Sequence, residues 1–423
     1  MNKNLIKEVI LEQKSARENF DLGIKRALLG LIGQYVPLPH TLVISGIRRV
    51  GKSTLLAQIM DSFYKQGSYY FNFEDERLIG FKLSDFNLLY ETLLEVYGER
   101  KVFFFDEIQN VPKWEIFVRR MQDKGHKFFI TGSNASLLSK ELSTKLTGRV
   151  LSLELYPFSF REFLAFKGFF PDKQALYNTT ERGKIKRYFN QYLIKGGMPE
   201  YLKYNDTSLL KHVYEDILYR DIVARYEIKQ IKALRELGLY FLSNTAGLFS
   251  YNGLKRFLQL GSVNTAKSYA GYLENSFLIS TLNRFSYSLK QQFIANKKVY
   301  CIDSGLAAAV AFAFSKNRGK FLENLVFLEL KRRFQEVYYY KTAANLEVDF
   351  LIRDKGQKKS LIQVTQSLAD EKTRDREIKA LISALKELNG KSAVILSEDD
   401  EERIKIAGKT ITVVPIYKWL LSQ

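Results

Sequence analysis

Residues Gly46, Ile47, Arg48, Arg49, Val50, Gly51, Lys52 and Ser53 run in the order G-x-x-x-x-G-K-[ST], the types and spacing needed to hold a triphosphate. Gly46 and Gly51 let the backbone curl until successive N–H groups point into one concavity. Lys52 then reaches the β and γ oxygens, and the Ser53 hydroxyl can ligate Mg²⁺. Two further clusters extend this chemistry. The apolar run from Val102 ends in Asp106 and Glu107. Asp106 is suited to hold Mg²⁺, directly or through its water shell, and Glu107 to polarise the water that attacks the γ-phosphate. The run from Phe128 ends in Thr131, Gly132, Ser133 and Asn134, so Ser133 or Asn134 can orient that water. ATP and Mg²⁺ are the expected cofactors.

These residues need elements to position them. The apolar stretch 41–45 suits a buried strand, and the segment opening at Thr54 has the helical period that sets a helix N-terminus under the phosphates. Val102 to Asp106 reads as a parallel strand buried on both faces. Its acids emerge at the carboxyl end, where ligands collect in open α/β sheets. The expected fold class is therefore α/β, with a parallel P-loop NTPase sheet at its centre.

A chain of 423 residues is too long for one ordinary core, and about two to four domains are expected. Hydrophobic residues at 46% and charged residues at 26% describe globular material, with no Ser/Gly-rich linker. The lone Cys301 excludes an intramolecular disulfide framework and fits a reducing compartment. Its apolar surroundings in sequence suit a buried small residue rather than a nucleophile. Glu8 and Glu12 interrupt the first apolar residues, so no signal peptide is expected, and no apolar run approaches membrane-spanning length. A cytoplasmic protein without a membrane partner is the expectation. With 65 basic against 46 acidic residues the chain carries +19, which favours a polyanionic partner such as DNA. Residues 181–300 alone hold 19 Lys/Arg against 9 Asp/Glu.

The order of phosphate loop, Asp-Glu strand and polar-tipped strand resembles the AAA+ superfamily. More closely, Gly46 through Thr54, Asp106-Glu107-Ile108-Gln109, Trp114, Thr131-Gly132-Ser133, Gly148-Arg149 and Pro157-Phe158-Ser159-Phe160 with Glu162 resemble the prokaryotic AAA family ATPases that carry a DUF4143-type C-terminal region. Gly196-Gly197-Met198-Pro199-Glu200, Tyr219-Arg220-Asp221-Ile222, Leu322-Glu323-Asn324 and Glu347-Val348-Asp349-Phe350 resemble the same family. The resemblance implies an ATP hydrolase. Catalysis in such enzymes usually needs a positive charge on the developing transition state, an arginine finger contributing about 10³–10⁵ in rate. Arg149 is the first candidate and Arg220 the second, each in cis or on a neighbouring subunit of a homo-oligomer. Salt bridges are their structural alternative. Arg48 and Arg49 suit local packing or charge compensation.

The resemblance makes 158–235 a helical lid. There the Gly196-Gly197 turn is either a hinge or an ordinary helix connection. Residues 250–260 and 263–276 read as two helices around the Gly261-Ser262 turn, and 278–299 as a wing, which is winged-helix phrasing. Asn264, Thr265, Lys267 and Ser268 would face the major groove, and Lys297 and Lys298 would meet phosphates. A winged helix used for protein contact is the alternative. In the last hundred residues, Glu323 on a helix, Glu347 and Asp349 on one strand and Gln363 and Thr365 on the next resemble the PD-(D/E)xK nuclease fold. Thr365 stands where that family carries its lysine, and Gln363 can offer only a carbonyl oxygen. Lys341 is a possible replacement in space. A degenerate, binding-only domain is expected. The expected boundaries are 1–157 for the ATPase core with its N-terminal helix, 158–235 for the lid, 236–300 for the winged helix and 301–423 for the nuclease-like domain. Two rival functions stay open: a nucleotide-controlled protein-interaction switch, and an ATP-licensed, Mg²⁺-dependent nuclease.

Overall fold

The computed structural model describes residues 1–65, 67–135, 140–146, 148–172, 174–311, 318–354, 356 and 358–422. The chain forms two compact units. Met1–Leu155 with Asn275–Phe277 make the first, and Tyr156–Glu274 with Leu278–Gln423 the second.

The first unit is built on five strands: β1 (Thr41–Ser45), β2 (Ser68–Asn72), β3 (Val102–Asp106), β4 (Lys127–Gly132) and β5 (Val150–Glu154). They pair in the order β2-β3-β4-β1-β5, every pair parallel. β1 and β3 are buried along their whole length, as the apolar runs 42–44 and 102–105 within them require of strands covered on both faces. Aromatic rings fill much of this core. Phe103 stacks on Phe128 at 4.8 Å on one face of the sheet, and Phe104 on Phe129 at 4.7 Å on the other. The helix Lys52–Phe63 follows β1 after the glycine-rich loop. The loop thus lies at the carboxyl edge of the sheet, beside the end of β3.

The second unit carries two sheets. Strands β6 (Gly247–Phe249), β7 (Ile279–Leu282) and β8 (Lys297–Cys301) pair antiparallel in the order β6-β8-β7. The helices Tyr251–Phe257 and Val263–Asn275 lie between β6 and β7 in sequence, close to their expected spans, and the segment between β7 and β8 contains a further helix, Leu289–Ile294. The other sheet has six strands: β9 (Glu336–Lys341), β10 (Glu347–Arg353), β11 (Lys359–Val364), β12 (Ser392–Ser397), β13 (Glu402–Ile406) and β14 (Lys409–Pro415). Its order is β13-β14-β12-β11-β10-β9. The helix Arg318–Arg333 precedes it, and Glu371–Glu387 packs on it through Ala380, Leu381, Ala384 and Leu385.

Upstream in this unit lie the helices Phe160–Phe166, Thr179–Lys195, Pro199–Tyr204 and Thr207–Asp216 and the π-helical turn Ile217–Val223 that carries Arg220 and Asp221. Gly196 and Gly197 form a pinned junction rather than a loose one. A Cβ at Gly196 would lie 2.2 Å from Asp303 Oδ1, and one at Gly197 would lie 2.3 Å from the Phe158 carbonyl oxygen. The Gly197 N–H donates to Asp303 Oδ2 at 2.6 Å. A hinge at this turn is therefore disfavoured, because bending there would break a buried, charge-assisted bond. Cys301 is buried, and burial pushes its thiol up to about 12, which suits packing rather than nucleophilic chemistry. No helix among the described residues is long and apolar enough to cross a membrane.

Candidate functional site: the carboxyl edge of the parallel sheet

The glycine-rich loop is held by close contacts that only its sequence permits. A Cβ on Gly46 would stand 2.3 Å from the Leu155 carbonyl oxygen, so glycine is required where β1 gives way to the loop. Gly51 sits at φ 95°, a left-handed conformation that starts the helix at Lys52. Arg49 also adopts positive φ, at 62°. From beneath, the buried Arg26 donates Nη1–H to the Val50 carbonyl at 3.0 Å, while Gln58 accepts from the Arg26 N–H at 3.1 Å. Arg48 pairs with Glu74 at 3.0 Å, the local charge compensation its position suggested.

Lys52 folds back across the loop. Its Nζ donates to the carbonyls of Gly46 at 3.3 Å and Ile47 at 3.4 Å, and lies 3.2 Å from Glu107 Oε1. Asp106 is fully buried and collects three hydroxyl donors, from Tyr70 at 3.1 Å, from Thr131 and from Ser53. Burial pushes its carboxyl up, with the Glu107 charge adding to the rise, against the lowering pull of Ser53, Thr131 and Lys52. Glu107 behaves in the opposite way. Burial would raise its pKa, but the Lys52 ammonium, a hydrogen bond from Gln109 and the charge of Arg48 together hold it below the ordinary range. Two adjacent carboxyls are thereby driven apart, with Glu107 the more firmly ionised.

Thr131 couples them. Its hydroxyl donates to Asp106 and accepts the Glu107 backbone N–H at 3.1 Å. Glu107 itself has φ 52°, uncommon for a non-glycine residue. The Gln109 amide donates to Glu107 Oε2 and lies 3.4 Å from Ser133 Oγ, so it links the acid to the tip of β4. Gln109 Oε1 is buried and has no partner. Ser133 and Asn134 are both buried at that tip. The structure thus brings together Lys52, Ser53, Asp106, Glu107 and Ser133, gives roles to Thr131 and Gln109, which the sequence motifs contain without one, and adds Tyr70 and Arg26, which they lack. The donor set fits a magnesium–triphosphate complex. A serine hydroxyl and a carboxylate are hard oxygen ligands, a lysine stands beside the glycine-rich loop, and the buried Gln109 amide oxygen has no partner.

Of the two candidate arginines, Arg149 lies away from the loop. Arg149 directly precedes β5, at the amino end of a strand whose carboxyl end abuts the loop, and its Nη1 pairs with Asp123 at 2.9 Å. A five-residue strand is about 17 Å long. Arg149 therefore cannot reach a γ-phosphate in its own chain, and of the two roles expected for it the cis one is removed. Arg220 is exposed on the π-helical turn of the second unit.

Of the residues expected to meet DNA, Asn264, Lys267 and Ser268 are exposed on the first turns of Val263–Asn275. Thr265 is half-buried, its N–H bonded to Ser262 Oγ at 3.0 Å, and Lys297 is half-buried above the Tyr251 ring. Lys298 corrects the expectation outright. It is 2% exposed, and its ammonium lies among Glu323, Glu347 and Asp349, so it has no phosphate to meet. Within that nuclease-like set, Gln363 Oε1 accepts the Asp349 N–H at 3.1 Å, and Thr365 Oγ1 donates to the Ser367 carbonyl at 3.2 Å. Each of these oxygens thus has a backbone partner of its own. Lys341 reaches only Glu347, at 3.8 Å.

Comparison with known proteins gives this geometry its context. A family model described as an AAA domain matches residues 39–164, and two described as domains of unknown function, DUF8612 and DUF4143, match 186–317 and 318–419. An uncharacterized protein of Methanocaldococcus jannaschii is 38% identical, the match covering 99% of this chain and 97% of the relative. One from Haemophilus influenzae is 30% identical over 90% of this chain and 94% of its own length. Among solved structures, the RuvB Holliday junction branch migration motor of Thermotoga maritima aligns at 16% identity with a TM-score of 0.28, over 66% of this chain and 89% of that one. A likeness that low adds nothing to the assignment. The matched domains and the near full-length relatives place the chain in the AAA-type ATPases that carry a C-terminal DUF4143 region.

Proposed function

We propose that this protein is a Mg²⁺-dependent ATP hydrolase whose cycle is coupled to DNA through a winged helix in its second unit. The observation that carries the hydrolase reading is the convergence at one sheet edge of Lys52, Ser53, Asp106 and Glu107, with Lys52 Nζ 3.2 Å from Glu107 Oε1. Mg²⁺ held by Ser53 and Asp106 would neutralise charge on the β and γ oxygens. Incoming phosphates draw Lys52 away from Glu107. Oε1 is then free to take a proton from water, while Gln109 keeps Oε2 in place. Ser133 and Asn134, at the tip of β4, orient that water. The finger is Arg149, acting on a neighbouring copy in a homo-oligomer, or else Arg220, in cis or on a neighbouring copy.

The DNA reading rests on the basic 181–300 region and on the order of helix Ile231–Ser243, β6, two helices, β7 and β8, with Asn264, Lys267 and Ser268 exposed at the start of the second of those helices. The division 1–157, 158–235, 236–300 and 301–423 belongs to this proposal, with the last segment a nuclease-like binding element. The buried thiol of Cys301 suits a cytoplasmic setting. Steady-state ATPase rates with and without duplex and single-stranded DNA, with Glu107→Gln as the blank, test the coupling. Stimulation that fades as salt rises supports it. A DNA-indifferent rate would instead favour the protein-directed switch.

A further inference from the structure

The second unit holds a buried charge cluster that the nucleotide site does not use. Glu323 on the helix Arg318–Arg333 and Glu347 and Asp349 on β10 are the acids that, in a metal-dependent nuclease, would surround a cation. Here all three surround one ammonium. Lys298 Nζ lies 2.8 Å from Glu323 Oε1, 2.8 Å from Glu347 Oε1 and 2.9 Å from Asp349 Oδ1. A lysine ammonium has three N–H donors and no acceptor, so three carboxylates match its full capacity. The rest of the cluster is likewise satisfied. Asp349 Oδ2 accepts the Val364 N–H at 3.0 Å, and the Tyr300 hydroxyl donates to Glu323 at 2.7 Å. The Tyr300 ring, stacked on Phe327 at 4.0 Å, provides an apolar floor. Lys298 stays charged in this setting. Burial pulls its pKa down, but the charges of Asp349 and Glu323 outweigh burial and hold it well above the ordinary lysine value.

We propose that Lys298 is the permanent cation of this cluster, an ammonium supplied by β8 that stands where a divalent metal would stand. The acids therefore form a sealed joint between the three-stranded sheet and the six-stranded one instead of a metal-dependent cleavage site. A divalent ion would need oxygens at about 2.0–2.6 Å around a centre that Nζ already occupies, and two cations in one ring of oxygens repel each other. This inference is independent of the nucleotide site and survives if the ATPase reading fails.

The test is Mn²⁺ binding by the full chain without nucleotide, read by electron paramagnetic resonance, together with melting temperature with and without Mn²⁺. Comparing the parent with Asp349→Asn isolates any contribution of this cluster. The expected result is identical Mn²⁺ uptake by the two proteins, no metal-dependent shift in the parent, and no Mn²⁺-dependent cleavage of DNA. Lys298→Ala should melt at a lower temperature, bind one additional Mn²⁺, and regain stability when Mn²⁺ is added. Uptake or DNA cleavage in the parent that Asp349→Asn removes would overturn the proposal. So would a folded Lys298→Ala that ignores the metal. Should Lys298→Ala fail to fold, the comparison of parent with Asp349→Asn decides by itself.

Discussion

Two lysines in this molecule lie buried against carboxylates, and their surroundings differ in kind. Lys52 spans two loop carbonyls at 3.3 and 3.4 Å and one acid at 3.2 Å, all long for charge-assisted bonds. Lys298 has three acids at 2.8–2.9 Å. The first set is loose enough to be exchanged for phosphate oxygens, and exchange is what a catalytic loop requires. The second set is saturated, and any exchange would leave the buried Asp349 without its lysine counter-charge. A buried lysine–carboxylate pair is therefore a poor functional marker unless its coordination is counted: incomplete coordination marks a site that waits for a ligand, and complete coordination marks a joint.

Substitutions sharpen that contrast. Lys298→Ala should be the most damaging, because removing one partner of a buried ion cluster costs about 3–5 kcal/mol; calorimetry of the full chain would show a transition displaced to lower temperature. Lys52→Ala should leave melting nearly unchanged and instead weaken ATP binding about 10–100-fold, the loss of charged hydrogen bonds worth about 1.5–3 kcal/mol, read with a fluorescent nucleotide. If Lys52→Ala melted as low as Lys298→Ala, the distinction between loose and saturated coordination would fail. Thr131→Val removes the hydroxyl shared by Asp106 and Glu107. Turnover should fall about 10–100-fold with the fold intact, as for other supports of catalytic ligands.

Gln109→Ala should have the mildest effect, and its signature is pH dependence. The Gln109 bond helps hold the Glu107 pKa below the ordinary range. Glu107 works as a base only when ionised, so activity is lost as pH falls through its pKa. Removing the bond raises that pKa, and the acid limb of the kcat/KM profile should move to higher pH. An unmoved limb would remove Gln109 from this role.

Much of the nucleotide site was readable in advance, because its parts are local in sequence. The glycines, Lys52 and Ser53 lie within eight residues, and the apolar runs 42–44 and 102–105 declare strands buried on both faces. Thr131, Tyr70 and Arg26 escaped because their roles arise from contacts 24–36 residues away in sequence. Gln109 stood in view inside the Asp106–Gln109 run, but nothing local revealed that its amide would turn back to Glu107. Lys297 and Lys298 look alike as a basic pair. Alternation along β8 separates them, because neighbouring strand residues face opposite sides. Lys298 shares its side with Tyr300, and both meet Glu323. That period-two pattern was the one available sign that Lys298 points inward, and a wing-like reading of the segment obscured it. The cis role for Arg149 falls for a topological reason. Its place at the amino end of β5, far from the loop, follows only once β5 is known to run parallel to β1.

The most direct test of the ATPase account is Mg²⁺-dependent ATP turnover by the parent and by Glu107→Gln, with nucleotide affinity measured on both. The account predicts a turning-over parent and a variant that binds ATP about as well while hydrolysing it about 10²–10⁴-fold more slowly, the usual contribution of a positioned general base. A variant that hydrolyses ATP at the parental rate would contradict it.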